Sequence, residues 1–330
     1  MNRLSNAEFQ TLVEQITREV MTQMGGTKAA AAPAATVPPA PVSSAPTSYA
    51  GAMLAKVKEG CGPGCCECAD GRCVRDCADR VKQVVSTGAG RISAGLGFIP
   101  RDLSIARYID HTLLKPDASA AEVSQLCREA REYHFASVCV NSAYVPLCAD
   151  LLKGSDVAVC TVVGFPLGAS PAEVKAYEAQ LAIQNGANEI DMVLNIGALK
   201  SRDLKALHHD ISTVVKTCHA HNVICKVIFE TSKLNDEEKV IAAQVCKVAG
   251  ADFVKTSTGF GGGGATVGDV ALMRKVVGPE IGVKASGGVR NYADAQAMVE
   301  AGATRIGASA GVMIVKAERG ESVGASGKGY

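Results

Sequence analysis

Residues 223–259 read VICKVIFETSKLNDEEKVIAAQVCKVAGADFVKTSTG, and they contain two β-rich apolar runs separated by an amphipathic helical run. The apolar runs are nearly continuous, which is typical of parallel strands that are covered on both faces. This stretch therefore predicts one strand–helix–strand unit of an α/β fold.

The same alternation of strand and helix occurs eight times from Ile105 onward. Eight such units in roughly 210 residues fit a closed barrel better than an open doubly wound sheet. The first turn from strand to helix lacks the GxGxxG pattern, so a dinucleotide site is not expected. We therefore predict that residues 104–330 form a (β/α)8 TIM barrel of the α/β class. The predicted strands are 106–114, 136–141, 157–165, 189–196, 223–230, 252–259, 282–288 and 304–309.

The bulk composition excludes several classes of protein. The 330 residues include 34 basic and 33 acidic side chains, and a net charge of +1 indicates no surface for nucleic acid. No apolar run is long enough to span a bilayer, and the N-terminal run is amphipathic and acidic, unlike a signal peptide. Seven of the 13 cysteines lie scattered in apolar settings, where a thiol behaves as a small hydrophobic group. We expect a cytoplasmic protein with reduced thiols and without nucleic-acid or membrane partners.

Three segments precede the predicted barrel. Residues 1–26 contain one amphipathic helix over residues 4–24, with its apolar side chains on one face. Residues 27–60 are rich in alanine and proline and predict a flexible linker. Residues 61–103 form a cysteine-rich segment and a joint to the barrel.

The cysteine-rich segment follows the pattern C-x3-C-C-x-C-x4-C-x3-C, which is too dense for chance. Thiolates at such spacing can hold zinc or an iron–sulfur cluster, but the pattern matches none of the common spacings closely. A redox-labile or disulfide-forming segment is the alternative. The metal identity stays open, and no role in the chemistry of the barrel is expected. The candidate metal ligands are Cys61, Cys65, Cys66, Cys68, Cys73 and Cys77.

Five charged residues interrupt the apolar strands, and we expect them at the carboxyl ends of those strands, where TIM barrels carry their active sites. Lysine is almost never buried without a partner, so three lysines in strands are informative. One interpretation is structural, with interior salt bridges that also involve Glu230. The other is a catalytic lysine. The five residues are Asp110, Asp191, Lys226, Lys255 and Lys284.

A lysine must be neutral to attack a carbonyl carbon, although a free lysine has a pKa of about 10.4. Burial and a neighbouring cation both lower a lysine pKa. Lys255 and Lys284 lie on consecutive predicted strands, so one of them can lower the pKa of the other. Asp191 would transfer protons. No three of the six histidines have a zinc-like arrangement in the barrel. The set predicts a class I aldolase, which forms a Schiff base.

Small residues follow the last two predicted strands, at Gly287-Gly288 and from Gly307 to Ser309. Loops at these positions commonly bind phosphate in TIM barrels through backbone N–H groups. Tight turns that merely require glycine are an equally good interpretation. The longer run GFGGGGAT, residues 259–266, is expected to shape the rim of the site.

From about Ile105 to Tyr330 the chain resembles the deoxyribose-phosphate aldolase family. Ser142 stands where the family often has proline, and Ala310 stands where it often has serine, a change expected to weaken phosphate binding slightly. The motifs that carry the resemblance, in the order of the family, are YIDHTLLKP, CTVVGFPLG, NEIDMVLNIGALK, KVIFET, ADFVKTSTGFGGGGAT, GVKASGGVR and RIGAS.

The resemblance implies a role for each matching residue. Lys255 is the Schiff-base lysine, Lys284 is the partner that lowers its pKa, and Asp191 is the proton-relay acid. Tyr330 matches the tyrosine that ends the family's C-terminal tail and assists proton transfer, and a tail without this role is the alternative. The implied substrate-binding residues are Asp110, Thr256, Gly287, Gly288, Gly307 and Ser309.

The implied reaction is the reversible cleavage of 2-deoxy-D-ribose 5-phosphate to acetaldehyde and D-glyceraldehyde 3-phosphate. This aldol reaction needs no cofactor, and a homo-oligomer is expected. Two alternatives stay open. One is a Schiff-base aldolase for another phosphorylated sugar, and the other is a catalytically inactive scaffold associated with a shell.

The N-terminal helix and its linker resemble the encapsulation peptides that carry enzymes into bacterial microcompartments. Such helices dock an apolar face on shell proteins, so residues 4–24 are expected to bind a shell. Confinement would suit acetaldehyde, a volatile and toxic product. A helix that packs on its own barrel or mediates oligomerisation is the alternative.

Overall fold

The computed structural model describes residues 6–23 and 104–321. The predictions for the linker, for the six candidate metal ligands between Cys61 and Cys77, and for Tyr330 lie outside these described residues. Within the described ranges, no helix is both long and apolar enough to cross a membrane.

Eight parallel strands close into one barrel, in which each strand pairs with the next along the chain and the last pairs with the first. The predicted (β/α)8 TIM barrel is therefore confirmed. The strands are shorter than the apolar runs that predicted them, because each run continues into the turn that follows its strand. They are β1 (Ile109–Leu113), β2 (Ser137–Val140), β3 (Ala158–Val163), β4 (Glu189–Val193), β5 (Ile224–Ile228), β6 (Phe253–Lys255), β7 (Gly282–Ser286) and β8 (Arg305–Ala308).

Helices connect successive strands and cover the outside of the barrel. Two of them begin with a capping box, in which Ser119 pairs with Glu122 and Asn235 pairs with Glu238. The helices are α1 (Asn6–Gln23), α2 (Ala120–Tyr133), α3 (Val145–Leu151), α4 (Ala172–Gln184), α5 (Ile196–Lys200), α6 (Leu204–His219), α7 (Asp236–Ala249), α8 (Val267–Val277), α9 (Tyr292–Glu300) and α10 (Gly311–Glu318).

The two faces of each strand carry different side chains. In β4, Ile190 and Met192 belong to the hydrophobic core of the molecule. Glu189 and Asp191 alternate with them and contact Lys226 of β5 instead. Because side chains alternate between the two faces of a strand, the charged residues of several strands meet inside the barrel. The main apolar core therefore lies between sheet and helices, and the barrel interior holds the charged residues beside a small apolar cluster that includes Cys160 and Val162.

Helix α1 packs on the barrel that follows it in the chain, mainly against α7. Ile16 and Val20 are only 2% and 1% exposed, and both join the core of the barrel. Leu12 and Val13 pack against the same core. Within the described residues, the apolar face predicted to dock on shell proteins thus packs on the chain's own barrel, which is the alternative considered for this helix.

Candidate active site

Three of the candidate residues lie deeper in the barrel than expected. Asp191, Lys226 and Lys284 each occupy the middle of a five-residue strand. The expectation that all the charged residues stand at the carboxyl ends is wrong for these three, and it is also wrong for Asp110, the second residue of β1. Lys255 is the last residue of β6 and does stand at that end. The register places Lys255 beside Lys284 and Asp191 beside Lys226.

The carboxylate of Asp191 is the centre of the buried cluster. Its Oδ2 accepts hydrogen bonds from Nζ of Lys255 at 2.8 Å and from Nζ of Lys284 at 2.7 Å. Its Oδ1 accepts from Nζ of Lys226 at 2.8 Å and from the thiol of Cys160 at 3.2 Å. One carboxylate thus connects the side chains of four strands.

A second layer of charge lies below Asp191, at the amino ends of the strands. Arg305 donates to Oδ1 of Asp110 at 2.6 Å and to both oxygens of Glu189 at 3.1 Å. Lys284 forms an ion pair with Asp110, and Lys226 contacts Glu189 at 2.6 Å. These contacts join the two layers into one network.

The network contains four cations, three lysines and Arg305, against three carboxylates. Burial alone would raise the pKa of Asp191, but the charges of Lys226, Lys255 and Lys284 hold it well below its ordinary value. Burial alone would lower the pKa of Lys284, but Asp110 and Asp191 raise it above the usual range. Asp110 and Asp191 are therefore ionised near neutral pH, and Lys284 is a cation.

A cavity of about 700 Å³ opens above this network. Its volume is ample for a phosphorylated sugar. Of the three clustered lysines, Lys255 lines the cavity, whereas Lys226 and Lys284 lie beneath it and are completely buried. The cavity is also lined by four more residues implied by the resemblance: Gly287, Gly288, Gly307 and Ser309.

The turn after β7 depends on glycine for its backbone conformation. Gly287 and Gly288 have φ angles of +83° and +81°, in the left-handed region that disfavours other residues. A Cβ on Gly287 would also lie 3.0 Å from the Cα of Gly264 in the neighbouring loop. Both interpretations of this turn, as a tight connection and as a phosphate site, therefore fit its geometry.

Two residues implied as substrate contacts do not line the cavity. Asp110 is completely buried between Ser137, Lys284 and Arg305. Thr256 is also completely buried, and its hydroxyl bonds the backbone of the neighbouring strand. Asp110 and Thr256 therefore support the residues of the cavity wall and do not border the cavity themselves.

Glu230 does not form an ion pair with the strand lysines. The interpretation that it takes part in their interior salt bridges is therefore wrong. Its carboxylate accepts hydrogen bonds from the hydroxyl and the backbone N–H of Thr258. Glu230 thereby supports the glycine-rich loop, where a Cβ on Gly261 would collide with its carboxylate. The loop forms part of the cavity rim as expected, and the ring of Phe260 packs edge-on against Phe165 at 5.4 Å.

Two charged members of the network, Glu189 and Arg305, were not predicted from the sequence. Each is the first residue of its strand and contacts the other. Strand periodicity could have found Glu189, because it lies two residues before Asp191 and therefore on the same face of β4. The thiol of Cys160 lies in a small apolar cluster with Cys139 and Val162, as predicted, and it also contacts Asp191 and Lys226.

Residues 104–324 match the family described as DeoC/LacD family aldolase. The chain is 62% identical over 216 residues to the deoxyribose-phosphate aldolase of Streptococcus gordonii, covering 66% of this chain and 97% of that protein. It is 63% identical over 212 residues to deoxyribose-phosphate aldolase 1 of Bacillus licheniformis, covering 64% of this chain and 95% of that protein.

Solved structures give the same match. The chain is similar to the tetrameric deoxyribose phosphate aldolase from Aeropyrum pernix, with a TM-score of 0.62 and 35% sequence identity. That similarity covers 65% of this chain and 91% of the other. The family match leaves the N-terminal 103 residues outside it.

Proposed function

The chain belongs to the DeoC/LacD family of aldolases, and we propose that it cleaves 2-deoxy-D-ribose 5-phosphate reversibly to acetaldehyde and D-glyceraldehyde 3-phosphate through a Schiff base on Lys255. The observation that carries this proposal is the position of Lys255. It is the clustered lysine that lines the cavity, and its amine lies 2.8 Å from a buried carboxylate. The enzyme is a carbon–carbon lyase, and its aldol chemistry needs no cofactor.

The charge of the buried network favours one neutral amine. With four cations against three carboxylates, the network carries a net charge of +1 when every group is ionised. Release of one proton leaves it electrically balanced, which a buried site favours because an uncompensated charge is costly there. Lys284 contacts two carboxylates and Lys226 contacts three, and both lysines lie beneath the cavity. Lys255 contacts Asp191 and lines the cavity, so we assign the attack on the carbonyl carbon to its amine.

The reaction follows from this arrangement. The amine of Lys255 attacks C1 of the open-chain sugar, and loss of water gives an iminium ion. The 3-hydroxyl loses its proton, the C2–C3 bond breaks, and its electron pair moves toward the iminium nitrogen. D-Glyceraldehyde 3-phosphate leaves, and the remaining enamine is protonated at C2. Hydrolysis of the imine then releases acetaldehyde and regenerates the amine.

Asp191 is placed to assist these proton transfers. Its Oδ2 contacts both Lys255 and Lys284, so it can relay a proton between the reacting nitrogen and a permanent cation. The phosphate of the substrate would lie at the turn of Gly287 and Gly288, which lines the cavity.

Borohydride trapping tests this proposal. Acetaldehyde and borohydride should leave an N-ethyl group on Lys255, and peptide mass spectrometry locates it. Lys255→Leu should lose both this adduct and the turnover of deoxyribose phosphate, while Lys153→Leu, at an exposed lysine, should keep both. Turnover that persists in Lys255→Leu would refute the proposal.

We further propose that α1 carries the enzyme to a microcompartment shell. The amphipathic helix, the alanine- and proline-rich linker and a volatile product support this. Because Ile16 and Val20 are buried on the barrel, docking through this face requires the helix to leave it. Deleting residues 1–26 should retain aldolase activity and abolish co-purification with shell proteins. Unchanged co-purification would exclude the proposal.

The cysteine-rich segment is proposed to hold zinc or an iron–sulfur cluster through Cys61, Cys65, Cys66, Cys68, Cys73 and Cys77. Metal analysis of protein purified without oxygen tests this. A stoichiometric metal that is lost when the six cysteines are replaced by serine supports it, and metal-free protein contradicts it.

Tyr330 is proposed to assist protonation of the enamine carbon, on the basis of its match to the family's terminal tyrosine. Tyr330→Phe should lower kcat with little change in KM, because the phenol would act after substrate binding. Equal kcat values in the two proteins would leave the tail without a catalytic role.

A homo-oligomer is proposed from an exposed apolar stripe on α4. Val174, Tyr177 and Leu181 follow one another at helical spacing and are 54%, 67% and 48% exposed. A surface of this kind on a helix commonly mediates association. Light scattering should show an oligomer that Tyr177→Asp weakens, and a monomeric wild-type protein would exclude it.

A further inference from the structure

The hydroxyl of Ser286 is a buried polar group in the cavity wall. Ser286 is the last residue of β7, and its side chain is 6% exposed. Its Oγ has no hydrogen-bond partner among the residues that the structure describes. Buried hydroxyl groups are nearly always satisfied, so one without a partner that borders a ligand cavity points to a group on the ligand.

The direction of this hydroxyl is set by its neighbours on the adjacent strand. Ser286 is the register partner of Gly307 on β8, and both residues line the cavity together with Lys255. A Cβ on Gly307 would lie 2.4 Å from Oγ of Ser286 and 3.2 Å from Cε of Lys284. The hydroxyl therefore occupies the space above Gly307, one layer above Lys284 on the same face of β7.

The backbone of Ser286 is held firmly. The hydroxyl of Thr256 donates to the carbonyl oxygen of Ser286 at 3.0 Å and accepts from its N–H at 3.0 Å. These two hydrogen bonds join Thr256, which follows Lys255, to Ser286, which precedes the turn of Gly287 and Gly288. Thr256 is thus a positioning residue, and Ser286 is the group that faces the ligand.

We propose that Ser286 binds the C4 hydroxyl of 2-deoxy-D-ribose 5-phosphate, which becomes the C2 hydroxyl of D-glyceraldehyde 3-phosphate after cleavage. This inference rests on the proposed function. Ser286 lies between the imine-forming Lys255 and the phosphate turn that it directly precedes in the chain. C4 is bonded to C5, which carries the phosphate. The C4 hydroxyl therefore lies close to the phosphate turn and to Ser286, the residue before that turn.

The chemistry of serine favours C4 over C3. A neutral hydroxyl both donates and accepts one hydrogen bond, which suits a hydroxyl that stays unchanged in the reaction. The C3 hydroxyl must lose a proton, and a serine without a neighbouring base is a poor acceptor for it. Asp191 and the lysines lie one layer deeper and serve that step. Ser286 therefore determines acceptor specificity and takes no part in bond cleavage.

The test compares two acceptor aldehydes in condensation with acetaldehyde: D-glyceraldehyde 3-phosphate, and 3-oxopropyl phosphate, which lacks the hydroxyl. In Ser286→Ala, kcat/KM for the hydroxylated acceptor should fall about three- to tenfold, the effect of one neutral hydrogen bond. The value for 3-oxopropyl phosphate should change less than about twofold. The wild-type preference for the hydroxylated acceptor should thus largely disappear.

Ser257→Ala is the matched control. The Oγ of Ser257 is also buried without a partner among the described residues, but Ser257 does not line the cavity. This variant should keep the wild-type ratio between the two acceptors. Borohydride trapping of acetaldehyde on Lys255 should proceed in Ser286→Ala, which shows that its barrel is folded and its lysine reactive.

Three results would overturn the inference. The first is an equal loss for both acceptors in Ser286→Ala, which indicates a purely structural role. The second is an unchanged preference for the hydroxylated acceptor. The third is a wild-type enzyme that traps no acetaldehyde and condenses neither acceptor, and only this third result also refutes the proposed function.

Discussion

Lys255 and Lys284 are register partners on neighbouring strands, and both donate to the same oxygen of one carboxylate, at 2.8 and 2.7 Å. The two lysine nitrogens are therefore linked through one oxygen of Asp191. This shared acceptor makes the charge of the site depend on all three groups together, since a change in one alters the environment of the other two.

Replacing the shared carboxylate should damage both catalysis and stability. In Asp191→Asn, the buried lysines Lys226 and Lys284 each lose one carboxylate partner, so we expect the free energy of unfolding to fall by about 3–5 kcal/mol. Loss of the proton relay should lower kcat about 100- to 10,000-fold. Urea denaturation and steady-state kinetics measure the two effects. Asp252→Asn, at a buried carboxylate that bonds His219 and lies outside the network, should leave kcat per folded molecule near the wild-type value.

Stability should show a plateau around neutral pH with two edges. The pKa values of Asp110 and Asp191 are lowered by the neighbouring cations, so their contribution is fully present above about pH 4, the unfolded value, and is lost as pH falls through the folded values. The pKa values of Lys226 and Lys284 are raised by the carboxylates, so their contribution is present below about pH 10 and is lost as pH rises through the folded values.

Removing one cation should move the acid edge of that plateau. In Lys284→Met, both Asp110 and Asp191 lose a cation that lowers their pKa, and the acid transition should shift to higher pH. Urea midpoints measured from acid to neutral pH test this. Identical acid edges in the wild type and the variant would mean that Lys284 does not stabilise these carboxylates.

A second buried ion pair outside the cavity should matter for stability and not for the chemistry. Lys175 of α4 donates to Asp210 of α6 at 2.7 Å and to the carbonyl oxygen of Val193, at the end of β4. Lys175→Met should lower the free energy of unfolding by about 3–5 kcal/mol, because it leaves a buried carboxylate unpaired. The double variant Lys175→Met/Asp210→Leu should recover much of that loss. If the double variant is less stable than the single one, the pair is not the source of the effect.

The contact of α1 with the barrel should be detectable by hydrogen exchange. Ile16→Asp places a charge in an interface where Ile16 is 2% exposed, so the amides of α1 should exchange about ten- to a hundredfold faster. Gln15→Ala, on the exposed side of the same helix, should exchange like the wild type. Unchanged exchange in Ile16→Asp would show that α1 does not dock through this face.

The fold could be predicted because its signals are local. Each apolar run and each amphipathic helix is visible in a short window, and the eightfold alternation leaves few topologies. The charged positions Asp110, Asp191, Lys226, Lys255 and Lys284 stood out for the same reason, since a charge inside a buried strand requires an explanation. The depth of these residues in the barrel could not be predicted, because a strand and the turn after it form one continuous apolar run.

The sequence by itself determined the barrel, its family resemblance and the lysine nearest the carboxyl end of β6. The tertiary structure decided which groups share a proton acceptor, which of them reach the cavity, and which stay below it. Glu189 and Arg305 are 116 residues apart in the chain and meet only when the barrel closes. Ser286 and Gly307 likewise face each other only through the pairing of β7 and β8. Contacts of this kind depend on register and closure, which arise from the packing of the whole chain and leave no local trace in the sequence.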